Sequence, residues 1–476
     1  MELVGFRGGY PVPESAADSF DRVDARRAVE AYRFFYPVVS MEGILRGTRA
    51  VGAADNTVAP LLLPHPHHVG FTLGSDAPCL GAALDLGRSG PLVIEVPPGP
   101  LAGLVDDHYH RWLVDLGLSG RNGARGGRVL LLPPGHGRHV PDAERYEVVR
   151  SDTWHVLCVL RALPLDGDVA RANALLASVR VYPLVRRDDP PRFVVVNRDD
   201  TAMDTTPLAW EENLEYWRVL HRVIDTEPPV GELRPMLGLL AELGIEAGRR
   251  FAPEARMERI LTEAARQGRD ELLMSAFASR RPDRMVWPDR AWEWAGLRPE
   301  NGTFERPGSL DMEARDRWFA QAILASPAMF RREPGAGSLY WLGVRDGDGE
   351  YLDGGRTYRL RVPLPVPRTL FWSVTVYDAA TRSEIAADQG QASLRSLFDD
   401  LEPAGAGHVD LYIGPAAPAR TTGRWIQTVP GRGWFAYFRI YGPTGPAFDG
   451  AWRPGDFEAV DRAGRARLAP GNCAGG

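Results

Sequence analysis

The chain changes its hydrophobic rhythm three times. Over residues 24–47 (DARRAVEAYRFFYPVVSMEGILRG), Val29, Tyr32, Phe35 and Tyr36 recur at three- and four-residue spacing, and Asp24 stands where an N-cap would. That spacing predicts a helix. Between 60 and 185 the pattern becomes short apolar runs between Gly/Pro turns, with LVIEV and VLLL reading as buried strands. Helical spacing returns from about 168, in ARANALLASVR, TPLAWEENLEYWRVLHRVID, LRPMLGLLAELG, PEARMERILTEAARQGRDELLMSAFASR and SLDMEARDRWFAQAILAS. Pro207 and Pro253 sit where first-turn prolines are tolerated, and Gly244 and Gly268 read as helix stops. From Tyr340 four strands follow, TYRLRVPLP, TLFWSVTVYD, HVDLYIGP and WFAYFRIYG. In the second, Phe371, Ser373, Thr375 and Tyr377 share one face, and Trp372, Val374 and Val376 the other.

The expected organisation is an N-terminal helical segment (1–59), a β-domain (60–185), a helical layer (186–335), a second β-domain (336–462) and a loosely ordered tail (463–476). The fold class is α+β, two β-sandwich or jelly-roll-like domains bridged by helices. The length of 476 residues fits this division. No apolar run approaches the ~20 residues that span a bilayer. The start lacks a basic segment followed by an apolar one, so no signal peptide is expected. Three distant cysteines (Cys79, Cys158, Cys473) without a CxxC exclude a Cys-rich zinc site and favour a cytoplasmic protein. A net charge of −6 gives no nucleic-acid footprint. All 56 basic residues are arginine. Without lysine there is no Schiff base, hence no pyridoxal phosphate of the usual kind and no P-loop nucleotide.

The C-terminal run DGDGEYLDGGRTYRLRVP, FWSVTVYD, DLYIGP, GRWIQTVPGRGWFAYFRIYGP and AWRP resembles the DUF1214 domain. The N-terminal half (AYRFFYPVVSMEGILRG, AALDLGRSGPLVIEVPP, GGRVLLLPPGH, ASVRVYPL, LAELGIEAGRRF) resembles its usual partner, DUF1254, so the likeness covers most of residues 24–460. It implies two β-sandwich-like domains bridged by helices, and it implies no reaction, because the family's activity is poorly defined. Two motifs depart from the family. Where it has a segment like P-N-x-D-T-x-Y, this chain reads GSDAPCL and keeps only Asp76; where it favours N-W-L-P, this chain reads RWIQ and keeps only Trp425. A site built from the family's asparagines and Thr/Tyr is altered here.

Seven of ten histidines lie between 65 and 139: His65, His67, His68, His108, His110, His136 and His139. In DDHYHRW, His108 and His110 would share a strand face with Asp107 opposing them, and His108, His110 and Asp106 are candidate ligands for a divalent metal. The same segment offers an acid/base pair, with a carboxylate orienting an imidazole. The plainer alternatives are solvated loop histidines and acidic residues at a helix start. Asp106–Asp107 and the distant Asp399–Asp400 with Glu402 are weak candidates for Mg²⁺ on a diphosphate ester. Aromatic residues crowd the second β-domain, and Arg439, mid-strand in YFRIYG, needs either a carboxylate such as Asp378 or an anionic or carbonyl ligand group.

Nucleophile-elbow, HExxH, P-loop and Rossmann motifs are missing. The expected function is therefore an enzyme acting on a small molecule in an interdomain pocket, by hydrolysis, elimination or cyclisation. Its catalytic residues would be Asp76, Asp107, His108 and His110, and Trp372, Tyr377, Trp425, Arg439 and Tyr441 would bind substrate. The alternatives are a non-catalytic binding protein with a decayed site and the Mg²⁺-dependent enzyme. Neither nucleic acid nor membrane is an expected partner, and a homo-oligomer stays open.

Overall fold

The computed structural model describes residues 5–137, 142–335, 337–418 and 423–460; His139, Cys473 and the 463–476 tail lie outside them. The chain is a mixed α+β fold with four main sheets. In the N-terminal half, a six-stranded sheet runs in the order Val194–Asn197, Val58–Leu62, Cys79–Asp85, His155–Ala162, Leu101–Asp107, Trp112–Gly117. A four-stranded sheet runs Glu147–Arg150, Gly127–Leu132, Leu92–Val96, Arg180–Pro183. The C-terminal half has a five-stranded sheet, Trp292–Trp294, Ser338–Gly343, Trp434–Tyr441, Trp372–Asp378, Ser393–Arg395. A four-stranded sheet accompanies it, Trp425–Gln427, His408–Gly414, Tyr358–Pro363, Phe457–Ala459. Each sheet is open at both ends, so the strands do not close into a barrel.

Residue parity decides which side chains enter each core. On His155–Ala162, Val156, Cys158, Leu160 and Ala162 join Leu92, Ile94 and Leu131 in a core shared by both N-terminal sheets. Leu157, Val159 and Arg161 point the other way. On Trp434–Tyr441, Ala436, Phe438 and Ile440 enter the core shared by the C-terminal sheets, together with Trp372, Val374 and Val376. Tyr437, Arg439 and Tyr441 face outward from that core. Each half thus presents one outer sheet face to the rest of the molecule.

Helices cover parts of those faces. The first runs Pro13–Ala50, longer at both ends than 24–47. Pro13 starts it, Pro37 lies inside it, and Asp24 is an interior residue paired to Arg256 at 2.7 Å instead of a cap. Its N-terminal part packs Tyr32 and Phe35 among the helices Leu214–Thr226 and Ala255–Phe277. Its C-terminal part lays Met41, Ile44 and Leu45 on Ala83, Leu104 and Leu157 of the six-stranded sheet. None of the described helices is long and apolar enough to cross a membrane.

Three expectations are corrected. Pro207 lies in a turn, and the following helix starts only after Asn213, whose side chain accepts from Glu215 N. Gly268 is no stop: it sits inside Ala255–Phe277 because a Cβ there would come 2.4 Å from the Tyr32 ring, so two helices touch at that point. The last expected helix ends at Phe319, and residues 320–326 continue as an irregular segment. Helix propensity favours Ala over Gly by about 1 kcal/mol, whereas overpacking costs about 1–3 kcal/mol. Gly268→Ala is therefore expected to lower the denaturant midpoint; a rise would show that the two helices do not meet there.

Candidate functional site

The two outer faces and the irregular segment line a partly open cavity of about 700 Å³. Ile44 and Thr48 come from the long helix, Ala102, Leu104, Leu157 and Val159 from the six-stranded sheet, Ile323 and Leu324 from the irregular segment, and Met329 from the short helix Pro327–Phe330 that follows it. The five-stranded sheet contributes Tyr340, Tyr437, Arg439 and Tyr441. The walls are mostly apolar because each sheet offers the alternate residues that its own core did not take.

Polar chemistry gathers around Gly74. A Cβ built there would lie 3.2 Å from Asp76 Oδ2, 3.4 Å from Arg161 Nη1 and 3.6 Å from Arg439 Cζ, so one carboxylate and two guanidiniums from facing sheets meet at one point. Arg439 is 2% exposed. Tyr340 pairs with it across the strands, Tyr437 and Tyr441 flank it, and its guanidinium lies over the Tyr340, Tyr377 and Tyr437 rings. Its Nη2 donates to Thr72 O at 3.0 Å, while Nε and Nη1 are buried without partners. Burial opposes its charge, but Tyr377, Tyr441 and Asp76 outweigh burial and hold its pKa above the ordinary value. Asp76 accepts from the Tyr441 hydroxyl at 2.9 Å. Behind it, Glu384 accepts from Ser75 N, and burial pushes its pKa up to about 7.

A second polar group lines the cavity elsewhere. Asp115 projects from Trp112–Gly117 beside Ser119, Ser326 and Ala328. Its Oδ1 is buried without a hydrogen-bond partner, and burial raises its pKa to about 6 against the pull of Ser326 and Trp112. A carboxyl titrating near neutrality inside an apolar chamber is suited to exchange a proton with a bound molecule.

The grouping expected from the sequence is dispersed. Asp76 belongs to the Gly74 cluster, but Asp107, His108 and His110 do not line the cavity. Asp107 is buried against Arg111, with Oδ2 2.6 Å from Nη2, and its other oxygen caps the Tyr109 and Arg111 amides. His110 faces Pro37 O at 3.0 Å and Ile323 O at 2.5 Å. Burial lowers its pKa to about 4 against the pull of the two carbonyls, and the neutral ring, with a single N–H, donates to only one of them. Of the expected binding residues, Arg439 and Tyr441 line the cavity. Trp372 is core, bonded to Glu402, and Trp425 bonds Gly414 O. Tyr377 lies beneath Arg439 and bonds Leu73 O at 2.6 Å. Asp378 takes Arg432, not Arg439.

His108 is the hub of a buried ion network. Its Nδ1 meets Glu227 Oε1 at 2.8 Å and its Nε2 lies 3.3 Å from Glu42 Oε2; His155 Nδ1 reaches the same Glu227 oxygen at 2.7 Å. The one ring thereby joins the long helix, the sheet and the helix Leu214–Thr226. Among the described residues, His108, His155 and Glu227 group closely enough for a metal ion, and so do Asp55, Asp85 and His155. His110 and Asp106, the ligands expected beside His108, lie in neither group: Asp106 accepts from Ala325 N. Among the described residues Asp106, Asp107, Asp399, Asp400 and Glu402 form no such group either; Asp400 pairs with Arg424 and Glu402 with Arg368.

Burial alone would lower the His108 pKa, but Glu227 and Glu42 outweigh it and raise it from 6.5 to about 9. Glu227 falls to about 2, against the push of burial, which is the same interaction seen from its other end and is counted once. Stability from the protonated ring is full below pH 6.5 and is lost as pH rises through about 9. His108→Gln is therefore expected to flatten the stability profile between those pH values. An unchanged slope in urea titrations would show that the imidazolium does not hold the layers together.

Family comparison accounts for both halves. Residues 56–183 match the model for a protein of unknown function, DUF1254, and residues 337–445 match another, DUF1214. The chain belongs to the two-domain DUF1254/DUF1214 family. No curated protein matches it. Among solved structures, the VPA0106 protein from Vibrio parahaemolyticus is similar in fold at 15% identity and TM-score 0.56, over 92% of this chain and 100% of that one. An uncharacterised protein from Burkholderia cenocepacia, 12% identical, aligns over 94% and 97% at TM-score 0.41.

In this DUF1254/DUF1214 protein the cavity draws on both matched regions: Asp115 and Arg161 fall in the first, Arg439 and Tyr441 in the second. Asp115, Arg161 and Glu384 escaped the sequence reading. The first two had a signal, a charged residue within an apolar strand (WLVDLG, VLCVLRAL), identical to the one that exposed Arg439. Glu384 had none, because it lies in the turn segment TRSEIAA.

Proposed function

We propose that this protein is an enzyme acting by acid/base chemistry on a small, largely apolar molecule held in the cavity between the two sheets. Asp115 exchanges a proton with the ligand, and Arg161, Arg439, Tyr340 and Tyr441 hold the ligand's polar part. The observation that carries this reading is Asp115, a buried carboxyl with a partnerless oxygen on an apolar cavity wall. Such a group costs stability wherever it serves no purpose. Hydrolysis, elimination and cyclisation all need a proton moved at a fixed point without bulk water.

The test incubates the protein with fractionated small-molecule extracts and follows depletion by mass spectrometry. A compound consumed by the wild type and spared by Asp115→Asn supports the reading; equal consumption by both removes Asp115 from the mechanism. The binding-only alternative is favoured by Asp76, a surviving family-motif residue that is held by Tyr441 instead of lining the cavity. A compound that co-purifies and is recovered unchanged would decide for it.

A further inference from the structure

The Gly74 cluster says more about the ligand than its size. Arg161 and Arg439 lie on facing sheets at one end of the cavity. Neither has an ion-pair partner at salt-bridge distance among the described residues. Arg439 keeps Nε and Nη1 free while 2% exposed. The other charged groups nearby are Asp76, beside both guanidiniums, Glu384, whose pKa burial raises to about 7, and Arg395, bonded to Ser75 O and 3.7 Å from Asp399; Asp76 Oδ1 and Glu384 Oε2 are themselves buried without partners. Two guanidiniums thus face two carboxyls, Asp76 and Glu384, and burial disposes Glu384 to take up a proton. A buried guanidinium with open donors is completed by an oxyanion, which accepts two parallel N–H bonds from its planar fork.

We infer that the ligand is an amphiphile carrying a single carboxylate, its head between Arg161 and Arg439 and its hydrocarbon body along the apolar walls. This rests on the proposed use of the cavity and names the ligand's class. The charge count favours carboxylate over phosphate: with Glu384 carrying its proton, two guanidiniums against Asp76 leave room for one negative charge, whereas a phosphate monoester near two charges overshoots it. The Tyr340 hydroxyl, which accepts from Ser338 Oγ, also lines the cavity and has its own O–H to offer a carboxylate oxygen, whereas the Tyr441 hydroxyl is already given to Asp76. A cavity of about 700 Å³ lies within the range of single small-ligand sites.

Decanoate, 1-decanol and decyl phosphate are the probes, titrated into the full-length protein by calorimetry. Decanoate is expected to bind at least about ten-fold more tightly than decanol, equivalent to about 1.4 kcal/mol. Arg161→Met is expected to abolish that preference, lowering decanoate affinity at least about ten-fold more than decanol affinity; Arg161 is less buried than Arg439, so this variant is the safer one to fold. Gly81→Phe should exclude both probes, because a Cβ at Gly81 meets only Thr48 Cγ2, at 4.0 Å, and a ring there projects into the cavity. Equal affinity of decanoate and decanol overturns the head-group inference but leaves the cavity reading standing. Tighter binding of decyl phosphate overturns it through the charge count. Failure of all three probes, or binding undisturbed in Gly81→Phe, overturns the cavity reading itself.

Discussion

Glu211→Leu is expected to destabilise the protein by about 3–5 kcal/mol, the cost of leaving a buried guanidinium uncompensated. Glu211 and Arg382 are each 1% exposed, and Arg382 Nη2 donates to both Glu211 oxygens at 2.7 Å. The Tyr36 hydroxyl donates to the same carboxylate. Arg382 Nη1 also donates to Ala320 O, and Arg382 O accepts from Thr72 N. The pair therefore clasps the C-terminal half to the long helix, to the irregular wall and to the segment leading into Gly74. The double variant Glu211→Leu/Arg382→Met removes both charges and should be clearly more stable than Glu211→Leu alone. Urea denaturation of the wild type, both single variants and the double variant measures the coupling. A coupling near zero would mean that the clasp does not hold the halves together.

Asp115→Asn is expected to do the opposite and stabilise the protein at pH 7.5. The folded-state pKa is raised from 3.8 to about 6, so the folded chain binds the proton more tightly than the unfolded chain. Stability then falls as pH rises from 3.8 to about 6 and stays low above that. Two pKa units amount to about 3 kcal/mol as an upper bound. Asparagine removes the ionisation and keeps the size, so the gain should vanish below pH 3.8, where the aspartate is protonated in both states. Denaturation midpoints of the two proteins at pH 7.5 and at the lowest pH where both fold measure this. Parallel profiles would show that the carboxyl pays no burial penalty. A stabilised variant with lost turnover would show that the carboxyl is kept for chemistry at the expense of stability.

Part of the cavity wall was legible in the sequence. A charged residue within the apolar strand WFAYFRIYG marked Arg439, and Arg439 and Tyr441, both expected to bind substrate, line the cavity together with Tyr437 on the same strand face. The histidine-rich DDHYHRW segment misled for a physical reason. It is buried as an acid/base site would be, but its partners come from distant segments, Pro37 and Glu42 from the long N-terminal helix and Glu227 and Ile323 from the helical layer, up to 213 residues away. Burial is readable from local composition, whereas the group that satisfies a buried polar atom is set by long-range packing. Gly268 misled in the same way: helix-stop chemistry is local, and the Tyr32 ring that requires a glycine there is not.

Sequence alone determined the class of elements, the residues that share a face, the absence of lysine chemistry and the membership in a two-domain family, because side-chain periodicity and residue type are short-range properties. Tertiary structure alone decided which faces confront each other across the cavity, which charges are already paired, and that Asp115, Arg161 and Arg439 look into one chamber. Those outcomes depend on contacts between residues far apart in the chain, and only the folded packing of sheet against sheet brings them together.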